Sequence, residues 1–161
     1  VSEAPGSFSP AAYVATGAHC GLGDLDKLGV PYIQHPARVA TYLKRLYPDC
    51  VDDVVAVAWL HDVVEDTKVR LEDLRACGFS EDVVTAVDCI SQRQDGEKKE
   101  PADDYYARVR SHPWALMVKE ADLMDNTDPD RLSQLPDKDR ERLSEKYAHA
   151  REFFGFGDPW A

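Results

Sequence analysis

Val54-Val55-Ala56-Val57-Ala58-Trp59-Leu60-His61-Asp62-Val63-Val64-Glu65-Asp66 is the stretch on which the reading of this chain turns. Its first seven residues are apolar on every side, the pattern of a helix buried on all faces. Val54-Val55 is β-branched and would suit a strand, but it lies inside a longer helical pattern. Asp52 or its neighbour can cap this helix, which continues to about Glu65. At about 100° per residue, His61, Asp62, Glu65 and Asp66 share one arc while Val63 and Val64 point away. Four ionisable groups therefore converge at the end of a buried helix. Like charges so close raise one another's pKa unless something neutralises them, and a divalent cation does so directly. The plain alternative is a solvated helix end. It fits poorly, because acids sit badly at the negative end of the helix dipole.

A second helix repeats the pattern. In Trp114-Ala115-Leu116-Met117-Val118-Lys119-Glu120-Ala121-Asp122-Leu123-Met124-Asp125-Asn126, Asp122 and Asn126 lie one turn apart and Lys119 lies one turn before Asp122. The apolar body around Asp122 implies a partner for it, since a buried acid is rarely left alone. By itself the Lys119–Asp122 pair reads slightly better as a surface i,i+3 ion pair; beside the first helix it does not. His35 stands in Pro31-Tyr32-Ile33-Gln34-His35-Pro36, where two prolines stiffen the backbone. A lone histidine there is more often packed or capping. Taken together, His35, His61, Asp62 and Asp122 are a mixed nitrogen and oxygen set. Such a set suits Mn, Fe or Zn better than Ca, and differs from a thiolate-rich structural zinc site.

The rest of the chain reads as all-α and as a single domain, residues 11–161, behind a Ser-, Pro- and Gly-rich segment, residues 1–10, expected to fray. Helices are expected over Ala11–His19, His35–Tyr47, Leu71–Cys77, Glu81–Arg93, Asp103–Ser111 and Asp137–Phe154, besides the two above. Gly21, Gly23 and Gly29 mark a loop that ends at Pro31, and Gln94–Glu100 reads as a solvated loop.

The 161 residues carry a net charge of −11, and 43% of them are apolar. A core is therefore available, and a general DNA, RNA or anionic-membrane binder is disfavoured for want of a basic surface. A small polyphosphate remains possible, because a metal and a few local cations supply positive charge. No apolar run is long enough to span a bilayer, and Val1–Pro10 lacks the blocks of a signal peptide. Cys20, Cys50, Cys77 and Cys89 form no C-x-x-C pair and read as reduced thiols of a cytoplasmic protein.

The series His35, His61-Asp62, Asp122 resembles the H…HD…D signature of the HD-domain metal-dependent phosphohydrolases. The likeness extends further. Pro31-Tyr32-Ile33-Gln34-His35-Pro36-Ala37-Arg38-Val39-Ala40 is similar to the P-Y-I-x-H-P-x-x-V-A segment of the alarmone hydrolases. Leu60-His61-Asp62-Val63-Val64-Glu65-Asp66-Thr67 is similar to their L-H-D-x-x-E-D-T segment, and Val118 through Asn126 to V-K-x-A-D-x-x-x-N. The resemblance implies an HD-domain helical bundle and a divalent metal, typically manganese, held by His35, His61, Asp62 and Asp122. It implies that Glu65 and Asp66 orient or deprotonate the attacking water and that Asn126 contacts the nucleotide. The implied reaction removes pyrophosphate from the 3′ position of a guanosine alarmone.

One departure matters. The family often carries an Arg-Lys pair in the loop before P-Y-I, whereas residues 21–29 read Gly-Leu-Gly-Asp-Leu-Asp-Lys-Leu-Gly, with Lys27 the single cation. Lys27, Lys119, Arg38, Arg93, Arg108 and the Lys98-Lys99 loop are the candidate phosphate contacts, each weighed against a solvated surface cation, and Asp24 and Asp26 are expected to repel phosphates. Three functions stay open on the sequence: an alarmone hydrolase, an HD-type phosphatase acting on another nucleotide (a 5′-nucleotide or a phosphorylated dinucleotide), and a non-catalytic nucleotide-binding module.

Overall fold

Apolar residues at helical spacing, punctuated by Pro and Gly, dictate the architecture. A computed structural model describes residues 9–21 and 23–161; the terminal segment expected to fray lies, up to residue 8, outside the described residues. In chain order the elements are α1 (Pro10–Gly21), α2 (Gln34–Leu46), α3 (Asp52–Leu60), α4 (Val63–Asp66), α5 (Leu71–Ala76), α6 (Glu81–Ile90), β1 (Gln94–Asp95), β2 (Lys98–Lys99), α7 (Ala102–Arg110), α8 (Pro113–Asn126), α9 (Pro129–Leu132) and α10 (Asp137–Phe154). The fold is the expected helical bundle. α2 lies along α8 and packs on α3, α1 covers α3, and α6 joins α3 to α8. Val39 and Leu43 of α2, Val57 and Leu60 of α3 and Ala115 and Val118 of α8 are fully enclosed between them.

Three details differ from the sequence expectation. The helix expected to run on to Glu65 ends at Leu60, and α4 restarts at Val63. His61 and Asp62 occupy the turn between, with Asp62 at φ −102°, ψ −4°. The cause is local. The His61 ring folds back so that Nδ1 lies 2.7 Å from the Ala58 carbonyl, the group a continuous helix would offer to the Asp62 amide. Fully buried Val63 then anchors α4, which closes where Thr67 Oγ1 donates to the Val63 carbonyl. The second difference is a small hairpin in place of the expected loop. Gln94 pairs with Lys99 and Asp95 with Lys98, across a turn opened by Gly96 at φ +60°. All four strand residues are exposed.

α9 was not foreseen either. It begins at Asp128, whose side chain accepts from the Asp130 amide. Its Arg131 reaches across to the loop before Pro31. No helix among the described residues is long and apolar enough to cross a membrane.

Candidate metal centre and cavity

His35 enters from the first turn of α2, His61 and Asp62 from the α3–α4 turn, and Asp122 from the middle of α8. Because α2 lies along α8 and on α3, these separate elements deliver their side chains to one buried point. His35 and His61 are 5% and 2% exposed and Asp122 is 5% exposed. The two Nε2 atoms face each other at 3.2 Å. His35 Nε2 lies 3.1 Å from Asp122 Oδ1 and 3.4 Å from Asp62 Oδ2. His61 Nε2 lies 3.1 Å from Asp62 Oδ2 and 3.7 Å from Asp122 Oδ1.

These separations fit a shared ion. Donors about 2.1 Å from one ion stand about 3.0–3.5 Å from each other. The hydrogen placement points the same way. A carbonyl or a carboxylate only accepts, so the Ala58 carbonyl takes Nδ1–H of His61 and Asp125 Oδ2, 2.7 Å away, takes Nδ1–H of His35. Both Nε2 lone pairs then converge, and two lone pairs at that distance require a cation or a proton between them. Burial alone would lower both imidazoles. The surrounding carboxylates outweigh it, raising His35 well above its ordinary value and His61 to about 10. Burial alone would raise Asp62 and Asp122, yet the His61 charge beside Asp62 and the Lys119 ammonium beside Asp122 hold both well below the carboxylate range. The site is thus built to hold positive charge. His35, His61 and Asp62 form one group able to hold an ion, their donor atoms all within 4.8 Å of one another.

The residues around this point hold it in place. The Tyr32 hydroxyl donates to Asp62 Oδ2 at 2.5 Å. Lys119 Nζ donates to Asp122 Oδ2 at 2.8 Å, and Asn126 Nδ2 to Asp122 Oδ1 at 2.7 Å. Both Lys119 and Asn126 were expected to contact substrate. They border the cavity, but the bonds they make here are to Asp122. Arg38 is a correction. It does not line the cavity, because its guanidinium turns to Asp125, with Nε donating to Oδ1 at 2.6 Å. Arg93 and Arg108 also stay outside it. Arg93 pairs with Asp88, and Arg108 is satisfied by Glu100 and the carbonyls of Asp88 and Ser91.

Above the His35, His61, Asp62 and Asp122 cluster opens a cavity of about 570 Å³. Glu65 and Asp66 line it, and their oxygens lie within 4.8 Å of Asp62. Glu65 Oε1 accepts the Gln92 amide at 2.6 Å. Burial and the Asp62 charge raise Glu65, while burial and the Asp62 and Glu65 charges push Asp66 up to about 7. The two acids differ, then: Glu65 is tethered to a backbone amide, and Asp66 sits near neutrality.

Lys27, Arg131 and Lys146 bring positive charge to the wall, Tyr105, Tyr106 and Tyr147 aromatic surface, and Leu25, Leu28, Leu132, Leu135 and Leu143 an apolar strip. Burial together with the neighbouring cations lowers Lys27 and Lys146. The expectation that Asp26 repels phosphate needs revision. Its Oδ1 accepts the Leu28 and Val30 amides at 2.8 and 3.0 Å, and Oδ2 meets Arg131 at 3.3 Å, so the charge is met by the loop's own amides and by α9. The sequence reading missed Tyr32 as a site residue, Asp125, Arg131, Lys146 and Tyr147. Two of them left a signal: Tyr32 as the tyrosine of the P-Y-I segment, and Asp125 as a further acid one turn beyond Asp122 within an apolar helix.

The chain's relatives point to the same architecture. It is 39% identical over 66 residues to a probable guanosine-3′,5′-bis(diphosphate) 3′-pyrophosphohydrolase of Synechocystis sp., covering 41% of this chain and 8% of that protein. It is 34% identical over 104 residues to guanosine-3′,5′-bis(diphosphate) 3′-pyrophosphohydrolase MESH1 of Drosophila melanogaster, covering 65% of this chain and 56% of that one. The chain spans less than two thirds of either relative's length. A solved chain, described as a metazoan ortholog of SpoT that hydrolyzes ppGpp and plays a role in starvation responses, shares the fold. Its TM-score is 0.76 at 22% identity, over 95% of this chain and 88% of that one. The family model for the HD domain matches residues 11–110. That span carries His35 and the His61-Asp62 pair in the turn described above, and the chain belongs to the HD domain family.

Proposed function

We propose that this chain is a cytoplasmic phosphohydrolase that uses a divalent metal, manganese, to remove pyrophosphate from the 3′ position of a guanosine alarmone, a small nucleotide rather than DNA, RNA or a membrane. The supporting observation is the conjunction of the two-histidine, two-aspartate cluster with a nucleotide-sized cavity bordered by the Glu65 and Asp66 carboxylates and by cations. The names of the relatives add weight to the choice of substrate.

In this reading His35, His61, Asp62 and Asp122 hold the ion. Once bound, it supplies Lewis acidity, lowering the pKa of water and offsetting charge at phosphorus. Asp66 or Glu65 accepts the proton of the attacking water. A carboxylate raised toward neutrality makes a workable base at physiological pH, which favours Asp66 over the tethered Glu65. Lys119 and Asn126 keep Asp122 oriented. Lys27, Lys146 and Arg131 border the cavity and in this reading meet the remaining phosphates, while the tyrosines and leucines exclude water from the nucleobase.

A second reading, an HD-type phosphatase acting on another nucleotide, draws on the entrance loop. Residues 23–29 contain no arginine, and Arg131 is engaged by Asp26. Turnover of guanosine tetraphosphate with Mn2+, with product analysis, decides between them. Release of pyrophosphate supports the alarmone reading. Orthophosphate release, or turnover confined to other nucleotides, transfers support to the second.

A further inference from the structure

Asp125 occupies an open position of the V-K-x-A-D-x-x-x-N segment and does not line the cavity. It is nevertheless fully enclosed, at 0% exposure. Its Oδ2 accepts Nδ1–H of His35 at 2.7 Å. Arg38, one turn along α2 from His35, forks onto the same carboxylate, Nε to Oδ1 at 2.6 Å and Nη2 to Oδ2 at 3.2 Å. We propose that Asp125 is a positioning residue of the metal centre, locking His35 in the tautomer that can ligate, and that Arg38 makes this role specific to a carboxylate. The inference rests on the metal-centre reading above.

An imidazole offers Nε2 to an ion only while its hydrogen resides on Nδ1, and the partner of Nδ1 decides that. For His61 the partner is the Ala58 backbone carbonyl, which no substitution removes. For His35 it is the side chain of Asp125. Each of its oxygens also receives a guanidinium N–H, so both must accept. Asparagine cannot comply. With its carbonyl toward His35, its NH2 meets the Arg38 Nε–H, donor against donor. Turned round, its NH2 faces His35 Nδ1 and drives the ring hydrogen to Nε2, closing the ligand position. If Asp125 merely neutralised Arg38 so that α2 can pack on α8, the tautomer of His35 would be indifferent to it.

The test titrates Mn2+ alone, by calorimetry, into the metal-free wild type, Asp125→Asn, Arg38→Leu and the double variant, each checked for helicity. Asp125→Asn should bind the ion about 10–100-fold more weakly than the wild type, the usual cost of losing such a partner. In the double variant the asparagine is free to turn its carbonyl to His35, so its loss relative to Arg38→Leu should be much smaller. An Asp125→Asn affinity within about threefold of wild type overturns the proposal, well short of that cost. So does an equal loss in both backgrounds. A wild type that binds no Mn2+ overturns both this inference and the metal-centre reading beneath it. Should the variants fail to fold, the wild type answers alone: two-bond 1H–15N correlation of the zinc-loaded protein should show hydrogen on Nδ1 of His35. A bare Nδ1 there refutes the assignment.

Discussion

Lys119→Met puts the buried charge arrangement to a quantitative test. The Lys119 ammonium lies 2.8 Å from Asp122 Oδ2, with side chains only 14% and 7% exposed. Burial alone would lower Lys119, but the Asp122 charge carries it well above its ordinary value. Methionine keeps the volume and removes the charge, leaving Asp122 buried without its cation. Breaking a buried pair from one side costs about 3–5 kcal/mol. The two imidazoles within 3.7 Å of Asp122 Oδ1 absorb part of the exposed charge, which places the loss at the low end, about 3 kcal/mol. For a chain of this size that corresponds to a fall in Tm of roughly 6–12 °C in EDTA. Mn2+ adds positive charge beside Asp122, so the rise in Tm on adding saturating ion should be larger in the variant than in the wild type. Differential scanning calorimetry of both proteins, with EDTA and with Mn2+, supplies the numbers. A metal-free shift below about 2 °C, or a smaller metal increment in the variant, would show that Asp122 does not depend on Lys119 and refute the reasoning.

Asp62→Ala should abolish Mn2+ binding and turnover together, whereas Asp66→Ala should lose turnover and largely keep the ion; equal metal loss in both would make Asp66 a ligand. Running Glu65→Ala alongside identifies the base: full activity in Asp66→Ala with turnover lost in Glu65→Ala would move the role to Glu65. In metal-free protein, burial would lower His61, but Asp62 and Asp122 raise it to about 10 from 6.5. A group raised on folding contributes stability that is complete below its unfolded pKa and lost as pH climbs through the folded one. Tm in EDTA should therefore fall between pH 6.5 and 10, and saturating Mn2+ should flatten the slope as the ion replaces protons; a flat profile in EDTA contradicts the assignment. With no arginine in residues 23–29 and Arg131 held by Asp26, guanosine and adenosine tetraphosphates should turn over with less than about hundredfold discrimination, near 3 kcal/mol. A larger guanine preference in parallel assays would defeat that expectation.

The helical bundle was legible because its signals are local. Val54–Leu60 is apolar all round, Pro113 opens α8, and α10 spans Asp137–Phe154 as its pattern implies. The four-residue cluster was legible for a different reason: His61-Asp62 and Asp122 are polar interruptions of apolar helices, and such interruptions demand partners. The break at His61 escaped notice because it depends on a side chain capturing a carbonyl, which helical periodicity does not encode. Arg38 was misjudged for want of its partner: Asp125 lies 87 residues away in the chain, and no local feature links the two. Lys146 and Tyr147 escaped because α10 carries charge around much of its surface. Which of those charges meets the cavity is decided by the docking of α10 on α7 and α8.

The seam between α2 and α8 has a consequence for how this chain can change over time. Two packed helices gain most by filling their interface with aliphatic side chains, and replacing a buried ionic cluster with such residues is often neutral or stabilising. Here the seam is occupied instead by His35, Arg38, Asp122 and Asp125. A lineage released from the chemistry would meet little resistance, and often a reward, in trading them for leucine and valine. The bundle would survive that drift with its helices in register, and it would be inert. Fold and activity are therefore separable in this architecture, and a helical outline alone is a poor witness to function in any distant cousin.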